Sequence, residues 1–348
     1  MPAAAATAPS APFPKIELHV HLEATVQPAT LLGIARRNGV ALPADTVEGL
    51  QEFFAYRDFA HFIQVWIATT KALLTADDYR AITVDYAAEA KRHGAVYLEA
   101  IFSPAEPVRR GSSWEEVYEG VTAGVQEARE LHGVEVRLTP DIPRSFTQEE
   151  GRATVEWSAR YRDRGVVAIG IGGLEAQYPP ELWTDVFAEA RALGLGSVPH
   201  AGEVAGPASV RGAMDALGAD RLRHGFRAVE DWALVEEIAA RGIVCDVCPV
   251  SNLRTGVVSD LSEHPLPRLI EAGVLCTLNT DDPVLFDTDL TREHEAAAAL
   301  GLSARAFYDA GVAGALCDDA TRARLRAIGD AWDWDGGADA AAPRPAGA

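Results

Sequence analysis

Lysine is nearly absent from this chain: Lys15, Lys71 and Lys91 are the only three in 348 residues. Basic side chains number 31 against 51 acidic ones, a formal charge of −20. A surface of that sign repels a phosphate backbone, so nucleic acid is excluded as a partner, while solubility is favoured. No stretch of 18 consecutive apolar residues occurs, so no helix is expected to span a membrane. Nothing positive precedes Lys15 and no apolar block lies there, which argues against a secretory signal. Four irregularly spaced cysteines make no disulfide framework; a reduced, cytoplasmic setting is expected. Phosphate loops are missing as well, because Gly170-Ile171-Gly172-Gly173 is not followed by a helix opening on Lys-Ser or Lys-Thr. A 48% hydrophobic fraction with 24% charged residues leaves an ordinary globular protein with a substantial core.

Short β-branched or aliphatic runs alternate with longer amphipathic stretches. Strands are expected at 16–21, 96–102, 134–138, 166–171, 196–200, 222–224, 243–248 and 274–279. Helical patterns fill 79–93, 113–132, 147–164, 180–193, 229–241 and 264–272. Gly94, Gly133, Gly165, Gly194, Gly242 and Gly273 stand at helix-to-strand junctions, where a left-handed cap is wanted. Eight such units make an α/β protein, either a (β/α)8 TIM barrel or a long doubly wound sheet. Residues 28–75 break the rhythm with several helices' worth of apolar side chains, read as a helical insertion after strand 1 beside the barrel mouth. The expected organisation is a tail at 1–13, one barrel domain at 14–335 and a low-complexity tail at 336–348, both tails disordered, with no internal repeat.

Polar residues collect at the ends of these strands. His19 and His21 are two apart in the first, so both imidazoles face one side. His200 ends the fifth strand and is followed by Ala201-Gly202-Glu203; His224 ends the sixth, and Asp281-Asp282 follow the eighth. Barrel active sites are built at this C-terminal face from the ends of several strands. Three or four imidazoles and a carboxylate are borderline donors for a first-row divalent metal, zinc being the commonest. A bound Zn²⁺ lowers the pKa of its water to about 7, and a nearby His and Glu can then move protons. This is the inventory for metal-assisted hydrolysis.

The strings H-V-H-L-E at 19–23, S-P at 103–104, G-G-L-E at 172–175, H-A-G-E at 200–203, H-G at 224–225, C-P-V-S-N at 248–252 and N-T-D-D-P at 279–283 resemble the adenosine deaminase family over residues 14 to about 330. The resemblance implies a barrel with one Zn²⁺ per chain that hydrolyses the 6-amino group of a purine nucleoside and releases ammonia, a hydrolase of C–N bonds in cyclic amidines. It implies His19, His21, His200 and Asp281 as metal ligands, Glu203 as the acid that protonates purine N1, and His224 as the group that orients and deprotonates the attacking water with Asp281 beside it. Asp282 would bond N7, and must be protonated to do so. The Gly173 N–H would bond N3, and Glu23 would lie on the ribose side. Protonating N1 draws electron density from C6, which gives Glu203 its chemical reason. In this family the region of Phe53 to Trp66 caps the substrate.

Departures from the family pattern lie away from the metal. Adenosine enzymes usually carry Asp-Gly where this chain has Glu23-Ala24, an Arg where it has Ile101, and D-L-A-G-D-E where it has Gly170-Ile171-Gly172-Gly173-Leu174-Glu175. Adenosine is the first substrate expected. A nucleoside enlarged at the 5′ end, such as 6-aminodeoxyfutalosine of menaquinone synthesis, is the alternative, with Arg144 and Arg254 as candidate carboxylate receptors or else as supporting and surface residues. Adenine deamination and a non-catalytic nucleoside-binding role stand further back. Cys245 and Cys248 do not read as the C-x-x-C of cytidine-type deaminases, since strand residues three apart face opposite sides. A two-metal site bridged by a fourth-strand lysine is excluded because all three lysines lie upstream. Cys276 and Cys317 are expected in the core, and His61, His93, His132, His264 and His294 as surface or capping residues.

Overall fold

The computed structural model describes residues 12–334 apart from 56 and 58, so most of both expected tails lies outside the described residues. The described residues form ten strands: β1 Lys15–His21, β2 Ala95–Ile101, β3 Glu135–Leu138, β4 Asp141–Pro143, β5 Ala168–Gly172, β6 Gly196–Ser197, β7 His200–Ala201, β8 Arg221–His224, β9 Val244–Val247 and β10 Cys276–Leu278. They fall into eight parallel staves. β3 and β4 are one stave interrupted at Thr139-Pro140, and β6 and β7 another interrupted at Val198-Pro199, because proline has no N–H to give the ladder. The first stave pairs with the second and meets the eighth through the His21 N–H to Asp281 O and Asp281 N–H to His19 O bonds, 2.9 and 3.1 Å. A doubly wound sheet would leave those two strands at a distance from one another. The architecture is the (β/α)8 barrel.

Helix ends follow their local chemistry. Thr75, Ser113 and Thr147 open helices Ala76–Arg92, Trp114–His132 and Gln148–Arg160 with reciprocal capping boxes to Asp78, Glu116 and Glu150. All six junction glycines adopt positive φ, as a left-handed cap requires. Gly120 and Gly124 let helices Trp114–His132 and Ala76–Arg92 approach closely, since a Cβ at either would meet the Ala76 or Arg80 backbone or Thr83. The insertion is helical: Pro28–Asn38, Val47–Phe54 and Phe59–Ala72. Several helices were not anticipated, among them Pro207–Asp215, Leu290–Ala299, Ala304–Gly314 and Asp319–Ala331. Among the described residues no helix is long and apolar enough to cross a membrane.

The barrel interior is polar rather than aliphatic. Arg221, fully buried, donates to Asp246 at 2.5 Å, Glu99 at 2.8 Å and the Gly314 carbonyl at 2.8 Å. Asp246 also accepts from Thr277, and Glu17 accepts from Tyr86 and from both the N–H and hydroxyl of Thr280. Arg221 and its two carboxylates are paired and hydrogen-bonded, the condition under which burial is tolerated, while Glu17 is held by hydrogen bonds alone and burial raises its pKa to about 7. Arg221→Met would leave Glu99 and Asp246 facing each other without a cation. The expected loss is about 3–5 kcal/mol, read from chemical denaturation with circular dichroism; a loss below about 1 kcal/mol would show that the network does not hold the barrel together.

Candidate active site

β1 carries Glu17, His19 and His21 at alternate positions, so the side-chain period of two sends all three to the barrel interior, with the histidines towards its C-terminal mouth. His200 arrives on β7. Its Nε2 stands 3.1 Å from His19 Nε2 and 3.2 Å from His21 Nε2. Asp281, just beyond β10, puts Oδ1 3.1 Å from His19 Nε2 and 3.4 Å from His21 Nε2, while its Oδ2 accepts the Ser251 hydroxyl at 2.6 Å. Two overlapping groups of donors have all their atoms within 4.8 Å: His19, His200, His224 and Asp281, and His21, Asp281 and Asp282. Four donors each about 2.0–2.1 Å from a tetrahedral zinc would be separated by roughly 3.3 Å. The measured 3.1–3.4 Å fits a divalent cation held by His19, His21, His200 and Asp281.

Electrostatics agree with that fit. Burial holds the His19, His200 and His224 imidazoles below their ordinary pKa, leaving neutral rings with a lone pair to give. His21 behaves oppositely. Burial opposes a charge there, yet Asp282 and Asp281 raise its pKa to about 9. The negative field that favours a proton on His21 favours a cation among the same donors equally well. His224 and Asp281 both take positive φ, 64° and 62°, a conformation that costs a non-glycine residue of order 1–3 kcal/mol and that concentrates at functional sites. Buried polar atoms without a hydrogen-bond partner gather here too: His21 Nδ1, Glu23 Oε2, His224 Nδ1 and Asp282 Oδ1. Groups left open in this way are what a bound molecule would satisfy.

Glu203 lies 3.6 Å from His224 Nε2, and burial, then the Asp281 carboxylate, lifts its pKa to about 7. Asp282 is held well above the usual carboxylate range by burial and its neighbour Asp281. Glu23 is buried, accepts the Ser103 N–H at 2.8 Å and is raised to about 7, chiefly by burial. Gly173 takes φ 93° with open space on the side where a Cβ would point. Trp66 of the insertion packs its ring 6.0 Å from that of His21, and Phe62 stacks on Phe286 at 5.4 Å. Arg144 is buried with both Nη atoms committed, to the Tyr178 and His200 carbonyls at 2.6 Å, so it supports the backbone rather than offering a fork to a ligand. Arg254 is half-exposed and donates to the Phe286 carbonyl. Elsewhere the histidine expectations fail in part: His61 and His264 are buried, the latter against Asn252, and His294 packs between Phe13 and Phe307. Cys245, Cys248 and Cys276 are buried thiols as expected, whereas Cys317 is only half-buried.

Comparison with known proteins places this geometry in a lineage. Residues 14–331 match the family model described as adenosine deaminase. The chain belongs to the adenosine deaminase family. It is accordingly a hydrolase of C–N bonds in cyclic amidines. Over 328 residues, 92% of either chain, it is 53% identical to a protein of Acidothermus cellulolyticus named aminodeoxyfutalosine deaminase. An adenine deaminase of Streptomyces coelicolor is 37% identical over 275 residues, 79% of this chain and 81% of that one. Among solved structures, adenine deaminase from Arthrobacter aurescens superposes with a TM-score of 0.86 at 27% identity, covering 92% and 99% of the two chains. An amidohydrolase from Burkholderia ambifaria with bound Zn also gives 0.86, at 30% identity, covering 94% and 92%.

One residue with a structural claim on the site was quoted in a motif without a role. Glu175 accepts the N–H of Gly202 at 2.6 Å, Glu203 at 3.2 Å, Val204 at 2.9 Å and Ala205 at 2.9 Å, together with the Ser209 hydroxyl at 2.6 Å. A carboxylate that gathers four successive amides fixes the turn that presents Glu203. Nothing in local sequence links residue 175 to residue 203; only a glutamate ending one motif hints at it. In Glu175→Gln one oxygen becomes a donor among donors, so the turn should loosen. The expected result is a fall in kcat of about 10²-fold with metal content unchanged by elemental analysis; an unchanged kcat would remove Glu175 from the support of Glu203.

Proposed function

We propose that this chain deaminates a 6-aminopurine nucleoside enlarged at its 5′ end, of the aminodeoxyfutalosine kind, with a zinc ion held by His19, His21, His200 and Asp281. The observation that carries the chemistry is the set of three imidazole nitrogens and one carboxylate oxygen spaced at 3.1–3.4 Å. For the substrate, the 53% identity over 92% of both chains outweighs the 37% shared with an adenine deaminase. Adenosine stood first on the sequence alone; the relatives favour the alternative. Glu23 replaces the usual Asp and reaches across to Ser103, which supports a different ribose and 5′ environment. Four free cysteines support a reduced, cytoplasmic setting.

When bound, a divalent cation of this kind supplies Lewis-acid activation of water at neutral pH. The chain's own residues do the rest. Glu203, buried and lifted towards neutrality, carries a proton to purine N1, and the resulting charge makes C6 electrophilic. His224, neutral in its buried place and 3.6 Å from Glu203, orients the attacking water and takes its proton. Asp282 in its protonated form donates to N7, and the Gly173 N–H bonds N3; together they fix the base over the metal centre. Trp66 and its helix exclude bulk water from the mouth. His224 then passes the proton taken from water to the 6-amino group, the C6–N bond breaks to release ammonia, and the remaining hydroxyl proton returns to Glu203 as the C6 carbonyl forms.

Two measurements test this reading. Glu203→Gln keeps the shape and removes the proton donor, so kcat should fall by at least about 10²-fold while zinc content stays at one per chain; retained turnover would exclude Glu203 as the N1 acid. A substrate series of adenosine, adenine, 2′-deoxyadenosine, 5′-methylthioadenosine and 6-aminodeoxyfutalosine should give the last the highest kcat/KM by at least about tenfold. A preference for adenosine would restore the first expectation.

A further inference from the structure

His200 has two ring nitrogens, and the one facing away from the other donors meets an acid from a different stave. Asp141, buried on β4, puts Oδ2 3.2 Å from His200 Nδ1. That oxygen makes no hydrogen bond among the described residues; the Nδ1 hydrogen bond runs to the Ile171 carbonyl at 3.0 Å, and Asp141 Oδ2 faces the ring beside it as a charge in ion-pair range. Asp141 Oδ1 pairs with the guanidinium of Arg223, which is fully buried on β8 and also donates to the Thr139 hydroxyl at 2.8 Å. The contact passes through space left by two glycines at alternate positions of β5. A Cβ at Gly170 would collide with Asp141 Oδ1, Arg223 and the Val198 carbonyl; one at Gly172 would come within 2.9 Å of Asp141 Oδ2 and 3.2 Å of His200 Nδ1. Position 170 is the first residue of the string that reads D-L-A-G-D-E in adenosine enzymes, so the glycine that admits Asp141 coincides with the loss of an acid.

We infer that Asp141, held in place by Arg223, is a positioning residue for His200: its negative Oδ2, beside the Ile171 carbonyl that accepts the Nδ1–H, keeps the proton on Nδ1 and so leaves the Nε2 lone pair for the metal. The inference rests on the ligand set proposed above. An imidazole donates from one nitrogen and ligates from the other, and the acceptor behind it fixes both tautomer and ring angle. Arg223 anchors the carboxylate from the far side with a charge-assisted bond, so Asp141 cannot swing to another donor. Neither residue touches the substrate.

Asp141→Asn isolates this role. The amide oxygen still accepts from Arg223, but its NH₂ then faces the His200 N–H, donor against donor, which favours the Nε2–H tautomer that cannot ligate. Zn²⁺ affinity, measured on demetallated protein by competition with a chromophoric chelator, should weaken about 10- to 100-fold while circular dichroism stays unchanged. Because Asn at 141 leaves Arg223 with less charge opposite it, Asp141→Asn/Arg223→Gln removes the pair together and should show the same weakening. Parent-like affinity, within twofold, in either folded variant overturns the inference. The unmodified protein carries the test too: in ¹H–¹⁵N spectra of the zinc-loaded chain the His200 proton should reside on Nδ1, and a proton on Nε2 overturns it. His200→Ala separates the two levels. If that variant binds Zn²⁺ as the parent does, the ligand set fails; if it loses zinc while Asp141→Asn keeps it, only the positioning role fails.

Discussion

At the mouth of this barrel the His19 and His21 Nε2 atoms each stand 3.1–3.4 Å from both His200 Nε2 and Asp281 Oδ1. Such a cluster is repulsive unless a proton or a cation lies among the donors, and burial removes the water that would otherwise screen it. The rest of the fold can be understood as what it takes to keep that cluster assembled. His19 and His21 need a strand rather than a helix, because only the period of two sends residues i and i+2 inward together. Asp281 needs the first and eighth staves side by side, and the two backbone bonds between Asp281 and the His19–His21 segment supply the register. The left-handed φ of His224 and Asp281 is the local cost of turning those chain ends toward one centre.

A polar centre in turn dictates a polar floor. Aliphatic layers fill many barrels of this kind, but here Arg221, Glu99, Asp246, Thr277 and Glu17 occupy the interior below the site in paired and hydrogen-bonded combinations. Buried pairs contribute little net stability, since desolvation offsets much of the attraction. What they contribute is direction: every nitrogen of the Arg221 guanidinium has an acceptor within reach, and each carboxylate has its donors already assigned. Ser251 on Asp281 and Glu175 on the 202–205 turn extend the same logic outward. Precision at the donors is thus obtained from hydrogen bonds of fixed geometry, which a packed aliphatic wall cannot provide.

Much of this was legible in the sequence, for physical reasons. Strand ends carrying His, His, His and Asp mark a C-terminal mouth because polar residues have no packing reason to interrupt buried strands there, and positive φ at all six junction glycines follows from the geometry of a helix C-cap. The expected strand at 196–200 runs unbroken through Pro199, and the one at 134–138 stops short of β4 beyond Pro140, although a missing N–H is written in the sequence itself. The supporting acids were not legible. Glu175 reaches a turn 27 residues away, a relation that exists only after the barrel has formed. Burial was not foreseen at His61, because a histidine in a helical segment carries no sign of which face it occupies; His264, though buried, accepts the Leu266 N–H at a helix start as a capping residue does, and His294 is half-buried.

Substrate choice lives in a different layer from the chemistry. In the mechanism proposed above the donors, Glu203 and His224 would act on C6 and N1, which every 6-aminopurine presents, so they would set the reaction without selecting the nucleoside. Selection falls to whatever surrounds the ribose end: Glu23, its bond to Ser103, and the helix that lays Trp66 beside His21. A Glu rather than an Asp at position 23 adds one methylene, and its carboxylate reaches the Ser103 N–H just beyond β2. A pocket rejects an analogue strongly only when its buried polar groups would be left unpaired, and Glu23 Oε2 is such a group, buried and without a partner. Under the proposed function, discrimination between a small and an enlarged nucleoside would then turn on what satisfies that single oxygen.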